Sequence, residues 1–252
     1  MKKVLLLTIV SCMFLFTACT KNYKTVAEYE TAMKTVASKQ TDYTIEAKQT
    51  VGTVELYYKS YITKDKWKVE LSMNGGSSYL STILYDGNDL MTYSAGSSYA
   101  MINPMMDSID MDDAEMAKSV VNSQNPVYQL INWSGTSAFM AEPEDISRAE
   151  FVNNKDNKNG FDCRLIKFGE DREACVSDEY GIAVYHKLVT NDLKHPSNTM
   201  TTELNLVKID KSPISDSVFD LPTGVKKTSM DDMFKNMDRM LDSMKSNYSS
   251  YN

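Results

Sequence analysis

From residue 41 to residue 102 the chain alternates between apolar and polar positions with a period of two. Tyr43, Ile45 and Ala47 alternate with Thr44, Glu46 and Lys48. Val54, Leu56, Tyr58, Ser60 and Ile62 alternate with Glu55, Tyr57, Lys59 and Tyr61. Trp67, Val69, Leu71 and Met73 alternate with Lys66, Lys68, Glu70 and Ser72. This third run is the cleanest, and it predicts a half-buried strand with its apolar face inward. Gly52, Lys64-Asp65 and Asn74-Gly75-Gly76 fall between the runs, where hairpin turns belong. In residues 79–85 both alternating sets carry apolar side chains, so periodicity selects no face. Residues 90–93 and 99–102 complete the meander after the Asp86-Gly87-Asn88 turn, joined by Ala95-Gly96-Ser97-Ser98.

Strand patterns resume at 148–152, 161–168, 172–176, 182–190 and 200–209, with 153–160 reading as a polar loop rich in Asn and Lys. Other stretches carry helical spacing. Val26, Tyr29, Met33 and Val36 recur at three and four residues, and Thr25 with Glu28 fits a capping box. A helix over 112–122 starts among acids, where its dipole favours them, and a short one is expected over 127–133. Residues 134–146 read as irregular. From Ser229 onward, Met230, Met233, Phe234, Met237, Met240, Leu241 and Met244 share one helical face, opposite Asp231, Asp232, Lys235, Asp238, Arg239, Asp242 and Lys245. Packing of that face on the chain's own sheet is the first expectation, ahead of self-association or closure of a cavity. With about ten strands, mostly sequential neighbours, the simplest architecture is α+β: one large antiparallel sheet with helices on one face, plus a C-terminal amphipathic helix.

The N-terminus changes the picture from fold to location. Lys2 and Lys3, an apolar run over 4–16 and small residues before a cysteine make a secretory signal peptide. The run is shorter than the ~20 residues a spanning helix needs. Phe16-Thr17-Ala18-Cys19 resembles a bacterial lipobox, with Phe where the usual pattern has Leu. That resemblance implies that Cys19 is lipidated and becomes the mature N-terminus. Removing residues 1–18 from the 252 leaves 234, and the net charge moves from −7 to −9 with the loss of two lysines. An acidic chain without a basic cluster is a poor ligand for nucleic acid or anionic headgroups. Lipid on Cys19 is therefore what holds it to a membrane, since several acyl chains anchor stably. Cys12 leaves with the signal. Cys163 and Cys175 remain, and an oxidising compartment favours a disulfide between them over a metal site or a nucleophile. A turn centred on Gly169 places the two cysteines directly opposite each other.

No catalytic set assembles. His186 falls in a strand pattern and His195 precedes Pro196, far apart in sequence, and no G-x-S-x-G elbow occurs. A calcium loop aligned on Gly160 fails, with Lys155 at its first ligand position and Ile166 at its last. The acids between 107 and 115 read as a solvated helix start. Methionine thioethers suit Cu(I), yet a Met stripe at helical spacing is more simply an apolar face. No metal and no cofactor is expected.

The order of elements, Tyr85-Asp86-Gly87-Asn88-Asp89-Leu90-Met91-Thr92-Tyr93 and Phe219-Asp220-Leu221-Pro222-Thr223-Gly224 resemble the superfamily of periplasmic lipoprotein carriers LolA and LolB. The resemblance covers residues 25–226. It implies an incomplete, strongly curved antiparallel barrel whose concave face, covered by helices, encloses a cavity for acyl chains. The expected organisation is a signal peptide over 1–18, a lipidated tether over 19–24, the β-rich domain over 25–226 and a Met-rich helix and tail over 227–252. The expected function is a non-enzymatic, membrane-anchored lipoprotein of the cell envelope that binds a lipid or other hydrophobic ligand. Trp67, Val69, Leu71 and Met73 form the cavity wall, with Met105 and Met106 as a lid. The alternative is a protein-interaction or sensor module with a self-filled core, using Met230, Met233, Met237, Met240 and Met244. Thr20 is not the Asp that retains such lipoproteins in an inner membrane. The expected location is the periplasmic side of an outer membrane, or the outer face of the cell membrane where only one exists.

Overall fold

The period-two segments become strands of a single sheet. The structure, a computed structural model, describes residues 22–39, 42–73, 79–103, 127–131, 133, 146–191 and 199–249. The strands are β1 (Tyr43–Val51), β2 (Val54–Ile62), β3 (Trp67–Met73), β4 (Ser81–Tyr85), β5 (Leu90–Ser94), β6 (Tyr99–Ile102), β7 (Ala149–Lys158), β8 (Phe161–Phe168), β9 (Arg172–Val176), β10 (Ala183–Asn191), β11 (Thr199–Asp210) and β12 (Lys226–Thr228). The helices are α1 (Val26–Ser38), α2 (Tyr128–Ile131) and α3 (Met230–Ser249). The helix expected over 112–122 lies outside the described residues.

The twelve strands form one open sheet in the order β12-β6-β5-β4-β3-β2-β1-β11-β10-β9-β8-β7. Every pairing is antiparallel except β12 with β6, which is parallel. β12 was not expected, because three residues of Lys-Lys-Thr carry no apolar alternation. It is held from outside the ladder: Lys227 Nζ donates to Asp86 and Asp89 at 2.7 Å each, clasping the β4–β5 turn. The same turn is tightened by Asp86 Oδ1, which accepts from the backbone of Asn88 and Asp89.

β7 runs through the residues expected to be a loop. The turn is confined to Asn159-Gly160, both at positive φ, which is the pairing a two-residue hairpin demands. β7 is an edge strand, and its polar residues face solvent. Register shifts between Phe151 and Asn153 and between Asn153 and Asp156 interrupt it. Bulges and charge of this kind blunt an edge against pairing with other chains. A further correction concerns the cysteines. Phe168 pairs with Arg172 and Leu165 with Cys175, so the β8–β9 turn centres on Glu170 rather than Gly169. Cys163 therefore lies diagonal to Cys175 on the same face, and the two form a disulfide with Cα atoms 5.4 Å apart.

The sheet carries apolar material on both faces. On the inner face, α1 lays Val26, Tyr29 and Met33 against β8–β10, beside Val127, Leu130 and Trp133 around α2. Thr25 caps α1 by accepting from the backbone of Glu28 at 3.2 Å. The β9–β10 turn approaches α1 so closely that a Cβ on Gly181 would lie 2.4 Å from the Met33 carbonyl oxygen. On the outer face, Phe219 packs on Leu84, Met91, Tyr93 and Ala100, with Val218, Leu221 and Val225 around it. The two motifs that carried the family resemblance are thus one packing unit.

Candidate ligand-binding face

Strand alternation and register decide which side chains share the inner face. Ser60 faces Ile45 and Val69, Ile62 faces Trp67, and Tyr58 faces Ala47 and Leu71. Ile83 faces Val69 and Thr92, and Tyr85 faces Trp67 and Leu90. From β1 to β5 this face holds Tyr, Ile, Ala, Gln, Val, Leu, Ser, Trp, Met and Thr, and no charged residue. The charges of the same strands sit on the outer face. There Lys48 pairs with Glu55, Lys59 with Glu46 at 3.9 Å, and Lys68 with Glu70 at 2.7 Å. Such segregation follows from the period-two pattern once the register is fixed, because a one-residue slip would exchange the faces.

The face is graded along β3. Trp67 and Val69 are 5% and 1% exposed, Leu71 is half-buried, and Met73 is 42% exposed. At the Met73 end the inner face also presents Val54 at 41% and Met200 at 50%. These exposed apolar side chains lie at one end of the face, on β3, β2 and β11. Deeper in, the Tyr58 hydroxyl donates to Gln49 Oε1 at 2.5 Å, and burial pushes the phenol up to about 12. Ser60 Oγ and Trp67 Nε1 are buried without a hydrogen-bond partner. Trp67, Val69, Leu71 and Met73, expected from sequence to line a cavity, share this one face. Met105, Met106 and Cys19 lie outside the described residues. Tyr58, Ile83, Tyr85 and Leu90 lie on the same face; the β2 alternation pointed to Tyr58, whereas the ambiguous 79–85 stretch hid Ile83 and Tyr85.

Elsewhere polar side chains pair with one another. Arg164 donates from Nε and Nη2 to both oxygens of Asp178 at 2.8–3.1 Å, and Tyr29 donates to Asp178 at 2.6 Å. Burial alone would raise the Asp178 carboxyl, but these hydrogen bonds outweigh it and hold it below the usual range. Arg172 Nε donates to His186 Nε2 at 2.9 Å, and its other end donates to the Trp133 carbonyl. Burial first, and the neighbouring guanidinium second, push His186 down to about 3, so it stays neutral and acts as an acceptor. A cleft of about 400 Å³ runs past Asn22, Asp156, Asp162 and Arg164, beside the edge strand. Among the described residues no group of three His, Cys, Asp or Glu is placed to hold a metal, and no helix is long and apolar enough to cross a membrane.

The C-terminal helix departs from the first expectation. Met230 is half-buried, but Met233, Phe234 and Leu241 are 42%, 49% and 49% exposed. Among the described side chains its apolar stripe faces away from the sheet. The side chains of Met237, Met240 and Met244 lie outside the described set.

No protein-family model and no curated protein matches the sequence. Among solved structures the chain is similar to an uncharacterized conserved protein from Thermus thermophilus. That match has a TM-score of 0.48 and 9% identity and covers 80% of this chain and 99% of that one. MucB, in the MucA/MucB complex of Pseudomonas aeruginosa, is matched with a TM-score of 0.43 and 6% identity over 79% of this chain. The match spans 61% of that chain, less than two thirds of its length. A LolA superfamily protein from Nitrosomonas europaea is matched with a TM-score of 0.33 and 9% identity, over 79% of this chain and 99% of that one. The chain is thus similar in structure to MucB and to a LolA superfamily protein, at low sequence identity.

Proposed function

We propose that this chain is a membrane-anchored bacterial lipoprotein of the cell envelope whose inner sheet face binds a lipid or other hydrophobic ligand. One observation carries the reading: five adjacent strands present an inner face without a charged residue, graded from buried Trp67 and Val69 to an exposed lip at Met73. The curvature of an incomplete barrel would turn that face into a cavity, with Met105 and Met106 as its lid and lipid on Cys19 as the anchor. An acyl chain against this wall is held by the hydrophobic effect, at roughly 0.8 kcal/mol per buried methylene. No catalytic residue is needed for that task, and the chain works without enzymatic chemistry. Leu71→Glu tests the reading, because it places a carboxylate midway along the wall. Lipid co-extracted with the variant should fall to background while its far-ultraviolet circular dichroism matches wild type. Normal lipid retention by the folded variant would remove Leu71 from the wall.

A second reading is favoured by the exposure of Met233, Phe234 and Leu241. In it, residues 229–246 dock another protein and the inner face is filled by the chain's own side chains. A pull-down from envelope extract that loses its partner on deletion of 229–246, from a chain carrying no lipid, would support this reading over the first.

A further inference from the structure

Among the described residues, Ser60 Oγ and Trp67 Nε1 are the buried side-chain polar atoms without a hydrogen-bond partner. They are not scattered. Ser60 faces Val69 and Ile62 faces Trp67 across the β2–β3 pairing, so Ser60 and Trp67 are diagonal neighbours on one face. That face is the charge-free wall described above. A buried unpaired donor costs stability, and Ala at 60 with Phe at 67 would fill similar space without that cost. Two such donors, diagonal neighbours on the face proposed to hold the ligand, are left for an acceptor that the chain does not supply.

We infer that Ser60 and Trp67 form a donor pair for a neutral carbonyl oxygen of the hydrophobic ligand, an acyl ester or amide. The inference rests on the proposed function and narrows it. Indole N–H donates only and the serine hydroxyl can donate alongside it, which matches the two lone pairs of one carbonyl oxygen. A saturated hydrocarbon would leave both donors unpaired. An ionised carboxylate would be buried on a wall from β1 to β5 with no Lys or Arg facing it, and an unpaired buried charge is costly.

The full chain, held in an amphipathic polymer, is titrated at pH 8 with hexadecane, methyl palmitate and sodium palmitate, each displacing a fluorescent apolar probe. In wild type the ester binds roughly ten-fold tighter than the alkane, the worth of one or two hydrogen bonds, and tighter than the carboxylate. The ester-to-alkane ratio falls to near one in the Ser60→Ala, Trp67→Phe double variant. Urea denaturation of the ligand-free variant shows one cooperative transition, its loss set by the smaller ring at 67 and not by a broken hydrogen bond, so the ratio is read on a folded chain. Equal ester and alkane affinity in wild type, or an ester preference that survives in the folded double variant, overturns the donor pair while leaving the apolar wall intact. Failure of all three probes to bind overturns the proposed function and the donor pair with it.

Discussion

Gly181→Ala should destabilise the fold far more than the same change at Gly169, and the comparison isolates one contact. Both residues sit at nearly the same left-handed backbone angle, φ +71 at Gly181 and φ +69 at Gly169. An alanine there costs about 1–2 kcal/mol at either site for backbone strain alone. Around Gly169 a new Cβ meets nothing within 4 Å. At Gly181 it would lie 2.4 Å from the Met33 carbonyl oxygen, 2.8 Å from the Ala37 amide nitrogen and 3.1 Å from Val36 Cβ. Two of these atoms are helix backbone, so relief requires α1 itself to shift. Overpacking of that kind costs about 1–3 kcal/mol. The shift also strains the 3.3 Å bond from Trp133 Nε1 to the Gly181 carbonyl, a further ~1 kcal/mol. Urea denaturation followed by tryptophan fluorescence should therefore show Gly181→Ala losing about 3–6 kcal/mol and Gly169→Ala about 1–2 kcal/mol. Equal losses at the two sites would refute the placement of α1 on the β9–β10 turn.

Further outcomes follow from the same structure. His186 is held down to about 3 against an ordinary 6.5, so between those values the unfolded chain binds the extra proton. Stability should then fall with a slope of up to ~1.4 kcal/mol per pH unit as pH drops from 6.5 towards 3. His186→Gln keeps an acceptor for Arg172 and should remove that slope; identical slopes in urea midpoints measured from pH 4 to 7 would contradict the assignment. The disulfide closes a separation of 12 residues, so Cys163→Ala with Cys175→Ala should cost about 2–3 kcal/mol, and an unchanged urea midpoint would count against the bond. Deleting residues 229–252 should leave the unfolding free energy measured in urea within ~0.5 kcal/mol of wild type, because the described part of the stripe is exposed. A loss above about 1 kcal/mol would show that the stripe packs on the sheet.

The strands with one apolar face were the most legible part of the chain. Trp67, Val69, Leu71 and Met73 declared their face because each alternates with Lys, Glu or Ser, and the structure places all four together. What failed to show was whatever alternation does not encode. β12 is three residues of Lys-Lys-Thr, fixed by the Lys227 clasp on Asp86 and Asp89 rather than by its own pattern. β7 is polar because an edge strand faces water, so polarity there meant position in the sheet rather than a loop. The Asn-Gly step at 159–160 was the available signal for its hairpin. The cysteine pairing was readable, but the register was off because the turn centres on Glu170. The buried Arg172–His186 contact had no sequence signature, since two residues on adjacent strands reveal their contact only once β9 and β10 are in register. The unpaired donors of Ser60 and Trp67 became visible only when every neighbour was in place.

The central claim is that the inner face holds a hydrophobic ligand. Native mass spectrometry of the chain from residue 20 onward, followed by organic extraction, tests it most directly. The account predicts a co-purifying lipid at near-unit stoichiometry, whose extracted class carries an acyl ester or amide. A clean ligand-free mass, unchanged after incubation with membrane lipids, would contradict it.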